Sequence, residues 1–196
     1  MATFNVIGIS CSPRKNGNMD ILVRQTLESA GHDGADIEFL RVADMNILPC
    51  DACWTCAETG QCHLDDDMQK VYFKLLHADG LVIGSPVHMG HSVSGQAQVF
   101  LDRTFSLWHQ KQLRNKVGGC VVCSNRRGGI SATRVINGAL FGHHIIIAGY
   151  ANGYGYAPGD VQKDTRALSE AATLGKRLCE IIRIMKRDKI QHPINA

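Results

Sequence analysis

Four of the chain's eight cysteines fall within one short stretch, PCDACWTCAETGQC: Cys50, Cys53, Cys56 and Cys62. Thiols packed this closely have four chemical uses. They can form a disulfide staple, a zinc site, a redox-active thiol pair or the cradle of an iron–sulfur cluster. The N-terminal MATFNVIGIS has no basic leader and no cleavage signature, and no stretch approaches membrane-spanning length. The chain is therefore expected in the cytoplasm and not in a membrane. Thiols stay reduced there, which makes the disulfide the weakest of the four.

Spacing sorts the rest. The pattern is C-x2-C-x2-C-x5-C. Two-residue gaps in a loop let consecutive thiolates turn toward one centre, and Cys62 closes the set from beyond Gly60. Four thiolates are the ligand set of a [4Fe–4S] cluster, and the first three repeat the bacterial ferredoxin spacing, although the x5 gap differs. Structural zinc pairs two separate C-x2-C knuckles and fits less well. Unmetallated thiols are the third option. Cys120 and Cys123 also read C-x2-C, but they lie in an apolar strand, where residues three apart point to opposite faces. They are expected as core packing, as are Cys11 and Cys179. His63 is expected as an exposed polar residue and not as a further ligand.

Three other stretches carry chemistry. SCSPRKNGNMD (10–20) offers hydroxyls at Ser10 and Ser12, a cation at Arg14, and Asn18 just before a helix pattern. Hydroxyls, amides and a helix N-terminus suit a phosphate, and a plain capped turn is the alternative. Neither the Walker loop nor the dinucleotide GxGxxG spacing is present. GSPVHMGHSVSGQ (84–96) has a stiff Pro86, apolar Val87 and Met89, and Gly90 for close backbone approach, which suits a flat aromatic ligand. SNRRGGIS (124–131) adds the Gly128–Gly129 pair.

These stretches need a scaffold, and the apolar pattern supplies one. Buried strands are expected at 4–10, 36–43, 81–86, 116–124 and 143–150. Helices are expected at 19–30, 65–78, 93–108 and about 165–187, with a short one around INGAL. Alternating strands and helices predict an α/β fold: a five-stranded parallel sheet with helices on both faces, in one domain spanning 1–196. The cysteine loop, 49–63, hangs from the second strand. The three chemistry-bearing loops follow the first, third and fourth strands, at the carboxyl ends where such sheets bind ligands. The 196 residues are 44% hydrophobic and 20% charged with a net charge of +3, which argues against a nucleic-acid partner. The basic run GKRLCEIIRIMKRDK reads as the solvated face of the last helix, with Leu174, Leu178, Ile181, Ile182 and Met185 as its buried stripe.

The GISCSPRKNGN opening, GSPVHMG with LDR at 101–103, and GGIS together resemble the NADPH-dependent FMN reductase group of flavodoxin-like proteins, over nearly the whole chain. With the cysteine loop after the second strand, the chain resembles the iron–sulfur flavoproteins in particular. The resemblance implies FMN, its phosphate among Ser10, Ser12, Pro13, Arg14, Asn18 and Met19. Its ring would lie against Pro86, Val87, His88, Met89 and Gly90, and against Ser124, Asn125, Arg126, Gly128 and Gly129. It also implies a homodimer or homotetramer. Met19 replaces the usual Thr or Ser, and His88 and Met89 replace the usual aromatic residues.

A cluster and a flavin in one small domain suggest an electron converter, taking single electrons from a ferredoxin-type donor and reducing a small-molecule acceptor by two. An NAD(P)H-dependent FMN or quinone reductase, its cysteines holding zinc or nothing, is the alternative. A zinc-stabilised, non-catalytic interaction module is the third. No acid–base dyad is apparent.

Overall fold

In the computed structural model, which describes residues 4–188, the strands are β1 (Asn5–Ser10), β2 (Asp36–Arg41), β3 (Gly80–Pro86), β4 (Val117–Ser124) and β5 (Ile146–Tyr154). They form one sheet in the order β2-β1-β3-β4-β5, with every pair parallel. Residues 1–3 and 189–196 of the expected domain lie outside the described residues.

Side-chain alternation along the strands divides the interior in two. Ile7, Ile9, Cys120 and Val122 point into a cluster with α3 (Met68–His77), α4 (Gly95–Arg103), α5 (Phe105–Trp108) and α6 (Gly129–Gly142). Val6, Val121 and Cys123 point into the other, with α1 (Asn18–His32) and α7 (Thr165–Arg187). Cys120 and Cys123 thus face opposite sides of the sheet, as strand geometry requires.

Helix α7 begins at Asp164, whose carboxylate accepts from the Ala167 N–H at 3.0 Å, and ends with Lys186 and Arg187 beside its carbonyls. Its buried stripe holds Leu174, Leu178, Ile182 and Met185, with Ile181 at the margin. Each such side chain stabilises the fold by about 1.5–3 kcal/mol. Gly175 lets α7 cross α1 closely: a Cβ there would lie 2.2 Å from the Thr26 carbonyl oxygen.

Beyond shifts of one to three residues at element ends, four features differ from the sequence expectation. The helix expected at 93–108 breaks at Thr104, whose hydroxyl donates back to the Leu101 carbonyl at 2.6 Å and also meets His143 Nε2 at 2.9 Å. INGAL is the middle of the fourteen-residue α6. The fifth strand starts at 146 because residues 143–145 still close α6, the Ile145 N–H bonding the Leu140 carbonyl; it then runs on to Tyr154. Inside the cysteine loop lies an unexpected helix, α2 (Thr55–Thr59).

Candidate functional site

The strand order reverses between β1 and β3, so their following loops part and leave a crevice at the carboxyl edge. A cavity of about 330 Å³ occupies it. From the first loop it takes Ser12, Pro13, Arg14, Asn18 and Met19, from the third residues 86–90, and from the fourth Ser124 and Asn125. Twelve residues named from the sequence thus meet in one place.

Four do not line it. Ser10 is fully buried, and its hydroxyl donates to Asp20 Oδ1 at 2.5 Å, away from the cavity. Arg126 lines a shallow outer depression with Arg127. Gly129 opens α6, and Gly128 serves the wall indirectly. At φ 89°, Gly128 packs so tightly on the third loop that a Cβ would sit 2.4 Å from the Gly90 carbonyl oxygen. Glycine here joins two loops.

Buried polar contacts shape the phosphate-type end. Asp20, in the first turn of α1, takes the Ser10 hydroxyl and the Asn16 N–H at 2.7 Å. Arg41, at the end of β2, bonds Asp20 at 2.5 Å and the Arg14 carbonyl at 2.9 Å. Breaking such a buried pair costs about 3–5 kcal/mol. Asn18 spends its amide on the Ala157 carbonyl (2.9 Å) and the Val161 N–H (3.3 Å), and Arg14 Nη1 donates to the Tyr156 carbonyl at 2.8 Å. These bonds bring Gly155 and Tyr156 to the cavity, where Cys123 also reaches. Burial pushes the Cys123 thiol up to about 11, so it stays protonated at neutral pH. Residues 155–156 escape sequence reasoning because the fifth strand was expected to end at Tyr150. Arg41 gave no signal, because DIEFLR already carries Asp36 and Glu38, and only the fold shows that Arg41 is the one buried side chain of β2.

The other end of the cavity is apolar. Pro86 and Val87 form its wall, and Met89, 89% exposed at φ 51°, sits at its mouth. Cationic and hydroxyl groups at one end and apolar surface at the other fit a flat ring carrying a phosphate.

The cysteine loop is built differently. It is wound by three left-handed residues, Ala52, Trp54 and Gly60, which fold the chain tightly between the thiols. Cys50 and Cys53 are exposed, Cys56 and Cys62 half-buried, and none is in a disulfide. Burial raises the Cys56 thiol above its ordinary value, and then the nearby Cys62, Cys50 and Cys53 raise it further, so all four share one electrostatic neighbourhood. Four free thiols on one loop are the donor set an iron–sulfur cluster requires.

His63 is closer to the chemistry than expected. Its Nε2 lies 2.8 Å from Asp51 Oδ2, and Asp51, Cys53 and His63 offer three ligand atoms within 4.8 Å of one another. Hydrogen bonds from His63 and then Cys53 hold the Asp51 carboxyl below the usual carboxylate range.

The loop closes at its neck. The Leu48 N–H and the Arg103 guanidinium, at the end of α4, both bond Asp66, and Gln69 holds the Cys62 and Leu64 carbonyls. At the other end of α4, the cap Ser94 bonds the Cys11 carbonyl at 2.7 Å, in the first cavity loop. One nine-residue helix, ~13 Å long at 1.5 Å per residue, therefore spans the space between the two sites.

No helix among the described residues is long and apolar enough to cross a membrane. Residues 4–153 match the family model described as NADPH-dependent FMN reductase. An iron–sulfur flavoprotein of Methanocaldococcus jannaschii is 39% identical, the match covering 93% of this chain and 99% of that one. One of Methanosarcina thermophila is 29% identical over 94% and 98%. The crystal structure of RosB with a bound 8-demethyl-8-formylriboflavin-5'-phosphate superposes with a TM-score of 0.78 at 17% identity, covering 94% of this chain and 81% of that one, a likeness of fold. A WrbA-like flavodoxin from Agrobacterium tumefaciens does so at 0.62 and 19% identity, over 92% and 98%. The chain belongs to the NADPH-dependent FMN reductase family and, within it, to the iron–sulfur flavoproteins.

Proposed function

We propose that this FMN-dependent oxidoreductase holds FMN in the cavity between β1 and β3 and a [4Fe–4S] cluster on Cys50, Cys53, Cys56 and Cys62. It passes electrons between a ferredoxin-type donor and a small-molecule acceptor. When bound, the cluster exchanges single electrons and FMN one or two, so together they convert one-electron donation into two-electron reduction. Ser12, Arg14 and the N-terminus of α1 hold the phosphate, while Pro86 and Val87 shield one side of the ring from water. Trp54, 61% exposed and packed edge-on to Phe105, presents the cysteine loop to a docking donor. Exposed Ile130, Tyr150, Tyr154 and Tyr156 offer apolar surface for the homodimer or homotetramer we also propose.

The observation that carries this reading is a loop with four unpaired cysteines, of which Cys62 meets Arg103 at one end of α4, whose other end seats the cavity. The Asp51–Cys53–His63 group favours a second reading, zinc on the loop with the protein acting as an NAD(P)H-dependent FMN or quinone reductase. His63→Ala separates the two in anaerobically purified protein. The cluster reading expects brown protein with iron and sulfide in both wild type and variant. Zinc in the wild type that is lost from the variant would establish the second reading instead.

A further inference from the structure

Arg103 makes contacts that closing a loop does not by itself demand. Its side chain and that of Asp66 are both 0% exposed. Nη1 donates to Asp66 Oδ2 at 2.5 Å and to the Leu48 carbonyl at 2.8 Å. Nη2 donates to Asp66 Oδ1 at 3.1 Å and to Cys62 Sγ at 3.5 Å. All four terminal N–H groups are thus spent on the neck of the cysteine loop, while buried Nε has no partner among the described residues. The Arg103 carbonyl accepts from the Tyr72 hydroxyl at 2.8 Å, which fixes the helix end that carries the fork.

A neutral clamp would meet the structural need with less desolvation, since taking two charges out of water costs several kcal/mol per ion. Asp66 matches the charge, but the fork also reaches one neighbour that would gain negative charge on reduction of a bound cluster. Cys62 Sγ is that neighbour. From this geometry we infer that Arg103 is a positioning residue that raises the electron affinity of the cysteine-loop site through its hydrogen bond to Cys62, with Asp66 as a counterweight limiting the effect. The inference rests on the reading that the loop holds an iron–sulfur cluster. One-electron reduction adds one negative charge, shared by the ligand sulfurs, and a buried cation bonded to one of them stabilises the reduced form. Hydrogen bonds to cluster sulfurs and the local charge are among the factors that set such potentials.

Opposite shifts from the two partners distinguish this role from scaffolding. Arg103→Gln keeps a side-chain N–H but removes the cation, and should make one-electron reduction about tenfold less favourable, ~59 mV lower. Asp66→Asn leaves the cation without its counterweight and should move the potential up. Arg103→Lys keeps the charge and should stay close to wild type. The readout is an EPR-monitored anaerobic dithionite titration of the cluster signal, with bound FMN measured in each variant to verify the fold. If Arg103→Gln keeps FMN but loses its cluster while Arg103→Lys retains it, the fork is a scaffold for the loop and the inference is overturned. Potentials that coincide in all three variants, shifts of the same sign for Arg103→Gln and Asp66→Asn, or equal cluster loss from all three would overturn the inference. A wild type without iron would instead sink the reading of the loop on which it rests.

Discussion

The cavity and the cysteine loop differ in what holds them together. Four strand ends, the loops that follow them and a buried Asp20–Arg41 pair define the cavity, and each belongs to the sheet or to helices packed on it. The cysteine loop is one excursion from the edge strand β2. It is pinned chiefly at its neck, by the Arg103–Asp66 pair and Gln69, and carries its thiols half-buried or exposed. The sheet makes the first site with or without a ligand. The second is one loop held at its neck. In the proposed reading the two regions are two cofactor seats, one built into the sheet and one built on a loop, with α4 between them.

That separation can be broken experimentally. The largest effect should come from Cys56→Ala. Ferredoxin-driven flavin reduction should vanish in anaerobic stopped-flow, while any slow NADPH reaction survives. Fast NADPH reduction, unaffected by loss of the cluster, would move the account to the NAD(P)H reductase reading. Cys120→Ala, on the sealed side of β4, should leave both reactions unchanged.

Arg14→Ala should sharpen the other half of the comparison. The lost charge-assisted contact is worth about 1.5–3 kcal/mol, so FMN affinity should fall roughly tenfold to a hundredfold. Riboflavin, which lacks the phosphate, should bind almost as before. Equal weakening of both in a fluorescence titration would remove the phosphate from this end of the cavity.

The sheet, its parallel order and both core faces were legible because they depend on two periodicities that the chain writes plainly. That the loops after the first, third and fourth strands share a rim was legible for the same reason, while Pro13, Met19, His88, Ser124 and Asn125 were named only through the family resemblance. What escaped was set by contacts distant in sequence. Ser10 reads as a phosphate ligand until Asp20, ten residues on, takes its hydroxyl. Tyr156 reaches the cavity through a bond to Arg14, 142 residues away. The Asp51–His63 contact depends on the left-handed turns at Ala52 and Trp54, conformations that such residues rarely announce. Arg103 appeared only as part of a motif, and its bond to Cys62 spans 41 positions.

A smaller effect is expected at the joint between α4 and α5. Burial, then nearby His144, pushes the His143 imidazole down to about 4. Between that value and the ordinary 6.5, the unfolded chain binds the extra proton and the native one does not, so stability rises with pH through this window. It should be complete above pH 6.5 and fall by on the order of 3 kcal/mol toward pH 4, at 1.36 kcal/mol per pKa unit. His143→Gln should flatten that limb in thermal melts of the holoprotein. A variant with the wild-type slope would assign the acid limb to carboxylates.

The central claim is that two cofactors occupy two separable seats, and cofactor content tests it most directly. Iron, sulfide and FMN per chain are measured in anaerobically purified wild type, Cys56→Ala and Arg14→Ala. The account predicts about four iron and four sulfide with one FMN in the wild type. Cys56→Ala should lose the iron and sulfide but keep FMN, and Arg14→Ala should keep the iron and carry less FMN. Joint loss of both cofactors from either variant, or zinc in place of iron in the wild type, would contradict it.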